Sequence, residues 1–236
     1  MGVSLGIIGS GNIGQDVARL AVDAGVAVVM SNSRGPESIT ELTASFGSSV
    51  RAATVKEAIA VSDIVILALP IGAVADLLAD DLRGKIVVDA TNYYPAMFGP
   101  IEAIDRSGLT SSEFLQDLLP GVRLVKALNN VDFLRLPLLA RAAGSSDRSA
   151  LPVAGDDVAA KAAVISVLDQ LGFDVVDLGP LSEGWRSQPG TPIYVTPYSE
   201  PADPAETDPT ALFMNAHAVP VPVDAARALI ASASRG

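Results

Sequence analysis

The sequence predicts an α/β fold: a doubly wound, mostly parallel sheet followed by a smaller C-terminal α/β domain. Three observations carry this. Short apolar runs alternate with segments whose apolar residues recur at helical spacing. The runs over 64–69 and 85–90 are apolar almost throughout, as parallel strands covered on both faces require. The first run, Val3 to Ile8, leads straight into a glycine-rich turn, Gly9-Ser10-Gly11-Asn12-Ile13-Gly14.

Taken in chain order, Val3 to Ile8 is the first strand. Asn12 to Ala24 is a helix with Ile13, Val17, Leu20, Ala21 and Ala24 at helical spacing, stopped by Gly25. Ala27 to Met30 is a second strand, and Pro36 suits the first turn of a helix running to Phe46. A weak strand lies near Val50. Ile64 to Leu69 and Lys85 to Ala90 are further strands, with a helix expected over Ile71 to Leu82 between them. Val122 to Leu128, followed by a helical pattern over Val131 to Ala143, repeats the unit. The small-residue stretch Gly144 to Ser149 marks an expected boundary between domains 1–146 and 147–236. Beyond it, strand, helix and strand are expected at Leu151 to Ala154, Val158 to Leu171 and Val175 to Leu178. Pro189 to Pro209 is rich in Pro and acidic residues, and Ala211 to Ile230 is apolar again. This tail reads as a lid, an arm toward a second subunit of a homodimer, or a loosely packed linker and helix.

Composition narrows the function. The 236 residues suffice for a sizeable core, and 27 acidic against 16 basic residues argue against nucleic acid as a partner. There is no Cys, which removes disulfides, thiolate nucleophiles and the usual zinc frameworks. No basic segment precedes the first strand, and no apolar run reaches the roughly 18 to 20 residues of a membrane span. The longest candidate, Ile64 to Ala79, contains Pro70, Gly72 and Asp76. A cytoplasmic protein with a small-molecule substrate, and no metal, membrane or nucleic-acid partner, is the expectation.

The glycine-rich turn matches G-x-G-x-x-G between a strand and a helix, the context of a Rossmann-type dinucleotide site. Its glycines allow a tight turn, close approach of a pyrophosphate, and packing of helix on strand. The helix N-terminus then faces the phosphates. An NAD-binding chain places an Asp or Glu at the end of the second strand to bind the ribose hydroxyl. Here the sequence is Ser31-Asn32-Ser33-Arg34. Small hydroxyl donors and a guanidinium suit a 2′-phosphate, so NADP(H) is the expected cofactor.

These segments, with Ala68-Leu69-Pro70 and Asp89-Ala90-Thr91-Asn92, resemble the F420-dependent NADP oxidoreductase family. Val125-Lys126-Ala127-Leu128-Asn129-Asn130, Val153-Ala154-Gly155-Asp156-Asp157 and Leu178-Gly179-Pro180-Leu181 extend the resemblance to about Thr191. It implies hydride transfer between NADPH and the deazaflavin coenzyme F420, stacked in a cleft between two domains. Carried over by position, Ser10, Asn12 and Ile13 line the pyrophosphate, and Ser31, Ser33 and Arg34 line the 2′-phosphate. Leu69 and Pro70 line the passage between adenine and nicotinamide; Thr91, Asn92, Asn129 and Asn130 face the nicotinamide and second substrate. Asn129 stands where members of the family commonly have His, and the proline-rich tail is longer than theirs.

Hydride exchange between two bound rings requires orientation and a dry cleft rather than an acid–base dyad. Reduction of a small carbonyl or imine, the alternative reading, requires a proton donor, for which Tyr93, Tyr94 and Lys126 are candidates by location, with Asn129 nearby. Each also has a packing role open to it. A third reading is a non-catalytic NADPH sensor. His217 sits among apolar tail residues with no metal-ligand partner near it in sequence. Trp185 beside Arg186 suits either the floor of a flat anionic ligand or an anchor for the C-terminal part.

Overall fold

The computed structural model describes residues 2–77 and 79–235. Eight strands, β1 (Ser4–Ile8), β2 (Ala27–Ser31), β3 (Val50–Ala52), β4 (Ile64–Leu67), β5 (Ile86–Asp89), β6 (Arg123–Lys126), β7 (Ala150–Gly155) and β8 (Asp174–Gly179), form one sheet. Their order is β3-β2-β1-β4-β5-β6-β7-β8, and every neighbouring pair is parallel except β6 and β7. The chain winds one way from β1 to β3 and the other way from β4, so β1 and β4 flank the switch point. Register aligns one row across five strands: Ser31, Ile8, Leu67, Asp89 and Lys126. The residues following this row emerge together at the carboxyl edge, where an open parallel sheet binds its ligands.

The helices are α1 (Asn12–Asp23), α2 (Thr40–Ala44), α3 (Val55–Val61), α4 (Ala79–Leu82), α5 (Pro95–Phe98), α6 (Glu102–Ser107), α7 (Ser111–Leu118), α8 (Val158–Gln170), α9 (Pro209–Asn215) and α10 (Val223–Ala231). Alternation along the strands divides the core into two layers. Leu5, Ile7, Ile64 and Ile66 pack with Val17 and Leu20 of α1, Val164 and Leu168 of α8, and Ile230 of α10. Ile8, Val65, Leu67 and Val87 pack on the other face with Ala58 and Ile59 of α3 and Leu115 of α7.

Several expectations change. The pattern over Val131 to Ala143 does not form a helix: only a 3₁₀ turn, Leu136–Leu138, appears there. The Asp132 carboxylate accepts from Leu134 N and Arg135 N, a turn-forming pattern that competes with helix, and Pro137 supplies no backbone donor. Over 71–82, a 3₁₀ segment, Ile71–Asp76, precedes α4, and Leu78 lies outside the described residues. Between Tyr94 and Leu119 the chain folds into three short helices that apolar periodicity did not announce. The expected C-terminal domain adds β7 and β8 to the same sheet. Its tail is packed: Tyr198, Val221, Ala226 and Ile230 belong to the core, and Val221 O accepts from Ala150 N at 2.8 Å. Among the described residues no helix is long and apolar enough to cross a membrane.

Candidate dinucleotide and acceptor site

The turn after β1 is built as the motif requires. Gly9 has φ 120°, and a Cβ there would collide with the Ala68 carbonyl. A Cβ on Gly14 would strike the Gly9 carbonyl, so this glycine sets the approach of α1 to β1. Gly11 differs: nothing lies within 4 Å of the position its Cβ would take. It is also the N-cap of α1, with no side-chain cap and no acid in the first turn. By contrast, α3 and α7 are closed by capping boxes, Thr54 with Glu57 and Thr110 with Glu113. At α1 the first-turn amide donors and the helix dipole are left for an anion.

This opening belongs to a cavity of about 700 Å³ lined by Gly9, Ser10, Gly11, Asn32, Ser33, Arg34, Leu69 and Pro70, with Thr54, Lys56, Asp76 and Asp81 among its further walls. Asn32 joins its two ends, donating to Ser10 Oγ at 3.2 Å while its Oδ1 accepts from Arg34 N at 3.0 Å. Ser33 and Arg34 are exposed, and Arg34 forms no ion pair among the described residues. Ser31 is fully buried with its hydroxyl directed at Ile7 O, so the structure leaves Ser33 and Arg34 as the donors for a 2′-phosphate. Asn12 is exposed and Ile13 partly buried at the start of α1. The open side of Gly11, the uncapped helix and the unpaired guanidinium together fit a phosphorylated dinucleotide.

At the far end of the row, Lys126 Nζ lies 3.1 Å from Asp89 Oδ2, and both side chains are fully buried. Ser112 Oγ donates to the same carboxylate at 2.7 Å and Thr91 N to its other oxygen at 2.9 Å, while Lys126 also donates to Thr91 O. Burial pushes the Lys126 ammonium below the usual lysine range, and Asp89 opposes the shift. Lys126 is therefore a tie between β5 and β6, removed from the surface. Tyr93 is committed too: it donates to Asp105 at 2.8 Å and accepts from Ile101 N at 2.8 Å.

Beyond these strands, Asn92 and Asn129 hold each other. Asn92 Nδ2 donates to Asn129 O at 2.8 Å, and Asn129 Nδ2 donates to Asn92 Oδ1 at 3.2 Å and Ser187 O at 2.8 Å. Asn130 is buried and donates to Tyr198 and Ile193 O. Thr91 Oγ1 is buried without a partner. Against this cluster stands Tyr194, which sequence reasoning missed: its hydroxyl meets that of Tyr94 and accepts from Asn92 Nδ2 at 3.4 Å. Val195, the residue after Tyr194, has a positive φ of 55°, and Leu128, the residue before Asn129, one of 62°. Thr196 N donates to Tyr194 O at 2.6 Å across a γ-turn centred on Val195, a conformation costing on the order of 1–3 kcal/mol. Val195 N donates to Asn130 O at 2.8 Å, which pins the turn to the loop that follows β6.

The remaining candidates lie elsewhere. The guanidinium groups of Arg186 and Arg235 lie 4.5 and 5.2 Å from the centre of the Trp185 ring, and Arg186 pairs with Glu183 and donates to Ile230 O and Ala233 O at 3.4 Å, so this group fastens the end of α10. His217 is exposed on a two-residue strand paired with Glu200. Among the described residues no group of three or more His, Asp or Glu is placed to hold a metal ion.

Residues 4–93 match the family described as NADP oxidoreductase, coenzyme F420-dependent. Of solved structures, the Sinorhizobium meliloti protein SMa0349 is 36% identical with a TM-score of 0.71, over 82% of this chain and 93% of that one. An Arthrobacter sp. FB24 protein, described as an F420-dependent NADP reductase, is 27% identical with a TM-score of 0.64, over 76% and 86%. The metalloreductase STEAP3 of Rattus norvegicus is 29% identical over 82% of this chain and 37% of its own length. The chain spans under half the length of the curated relatives it matches.

Proposed function

The chain belongs to the family of coenzyme F420-dependent NADP oxidoreductases, and on that premise we propose that it transfers a hydride between NADP(H) and a flat, conjugated second substrate such as F420. The observation that carries this reading is the uncapped N-terminus of α1, opening through Gly11 into a cavity that also holds Ser33 and Arg34. The pyrophosphate would lie on the α1 amides and the 2′-phosphate on Ser33 and Arg34. When bound, NADPH supplies the hydride; the protein orients it and excludes water. A second reading, reduction of a small carbonyl or imine, is favoured by the tyrosine hydroxyl pair beside Asn92.

The test is nicotinamide absorbance with NADPH and, separately, F420, cyclic imines, small carbonyls and ferric chelates. Turnover with F420 is expected; activity confined to another class replaces the acceptor, and none with any class refutes the oxidoreductase reading. Arg34→Ala should weaken NADPH about 10- to 100-fold while leaving NADH nearly unchanged, since a hydrogen bond to a charged group contributes roughly 1.5–3 kcal/mol. Equal weakening of both would remove Arg34 from the 2′-phosphate.

A further inference from the structure

We propose that the Tyr94–Tyr194 hydroxyl pair is the proton donor of this site, serving an acceptor whose nitrogen or oxygen must be protonated as the conjugated carbon takes hydride. This rests on the oxidoreductase reading above and extends it to the chemical class of the acceptor.

The pair is assembled from distant parts of the chain. Tyr94 follows β5, while Tyr194 arrives from the C-terminal segment, and the two hydroxyls meet at the carboxyl edge of the sheet. The Asn92–Asn129 lock presents an amide N–H to Tyr194, and the γ-turn at Val195, fastened to Asn130 O, fixes the backbone beside it. A β-branched residue held at positive φ next to a hydroxyl pair is the kind of strain that persists where the surroundings over-determine a functional geometry.

Counting protons sharpens the assignment. Two hydroxyls carry two protons, and their mutual hydrogen bond uses one. Asn92 donates to the pair and accepts nothing from it. Among the described residues no carbonyl or carboxylate accepts the remaining proton. One O–H is thus left without an acceptor among the described residues. Burial, Tyr94 and the charge of Asp132 hold the Tyr194 hydroxyl above the ordinary tyrosine range, so it enters the reaction protonated.

When bound, NADPH supplies two electrons and one hydrogen nucleus to the acceptor carbon, leaving negative charge on the conjugated heteroatom. The pair neutralises that charge: a tyrosine O–H breaks and an N–H or O–H forms on the acceptor. The tyrosinate is held by the other tyrosine hydroxyl and the Asn92 amide until water returns the proton. Carbonyls, imines and deazaflavins share such a heteroatom. A ferric ion taking one electron has no use for it.

The test compares the full wild-type chain with Tyr94→Phe, Tyr194→Phe and the double variant. In Tyr194→Phe the NADPH Kd, read from nicotinamide fluorescence, should stay within about threefold, while kcat with the best acceptor falls roughly 10²- to 10³-fold. Without cofactor, ultraviolet titration should show Tyr194 ionising at lower pH in Tyr94→Phe than in wild type, because its partner is gone. Unchanged kcat in the double variant of an active enzyme overturns the proton donor but leaves the oxidoreductase reading standing. So does a rise in NADPH Kd matching the loss of kcat, which would make the pair a packing element, or identical titrations of wild type and Tyr94→Phe. Wild type inactive with every acceptor removes both readings together.

Discussion

Lys126→Met is the sharpest test of how the carboxyl edge is held together. The substitution keeps the length and apolar stem of the side chain but leaves Asp89 fully buried with only Ser112 Oγ and Thr91 N as donors, at 2.7 and 2.9 Å. Removing one partner of a buried ion pair costs roughly 3–5 kcal/mol, because the surviving charge is uncompensated. In a chain of this size each kcal/mol shifts Tm by about 2–4 °C, so Tm should fall by roughly 6–20 °C. Urea unfolding followed by circular dichroism at neutral pH measures the loss. Asp89→Leu combined with Lys126→Met should be more stable than Lys126→Met alone, because neither charge is then buried. A loss under about 1 kcal/mol in Lys126→Met would refute this reasoning, as would a double variant weaker than the single one.

Two further outcomes follow from the turn after β1 and from the helix it opens. Gly14→Ala drives a methyl into the Gly9 carbonyl and should lower Tm and abolish NADPH binding together, whereas Gly11→Ala meets open space and should keep the fold while weakening NADPH at least tenfold; melting and fluorescence titrations separate them, and equal effects would refute the distinct roles. The Asp16 carboxyl is pushed up to about 6 by burial, with Asp132 adding to the shift and Arg19 opposing it. Its folded value thus exceeds the ordinary aspartate value of 3.8, so its favourable contribution is present below about pH 4 and lost as pH rises through about 6. Asp16→Asn should therefore gain about 1 kcal/mol over wild type at pH 7.5, after discounting for partial exposure, and nothing near pH 4. A gap that is the same at both pH values in urea unfolding would refute it.

The winding of the sheet was legible because its strands are short and nearly all apolar, and because Gly9, Gly11 and Gly14 have distinct steric duties at fixed spacing. Ser33 and Arg34, proposed for the 2′-phosphate, were legible for a similar local reason: they closely follow the second strand. Ser31, two residues before Ser33, is the last residue of that strand and is buried with its hydroxyl directed at Ile7 O, which composition does not reveal. The Asn92–Asn129 lock and Tyr194 depend on contacts across 37 and 102 positions, which no local pattern encodes. The helical pattern over 131–143 failed because Asp132 and Pro137 outweigh periodicity. Thr110 and Glu113, by contrast, carry at capping-box spacing a visible signal for α7.

The antiparallel junction of β6 with β7 ties the C-terminal third to the sheet that carries the candidate site. Val125 pairs with Gly155 and Lys126 with Ala154, so swinging the C-terminal third away from the rest would tear backbone hydrogen bonds beside a buried ion pair. A clamshell motion of the two parts would have to break those bonds. Loop rearrangements at the carboxyl edge, which in proteins run from nanoseconds to microseconds, require no such break.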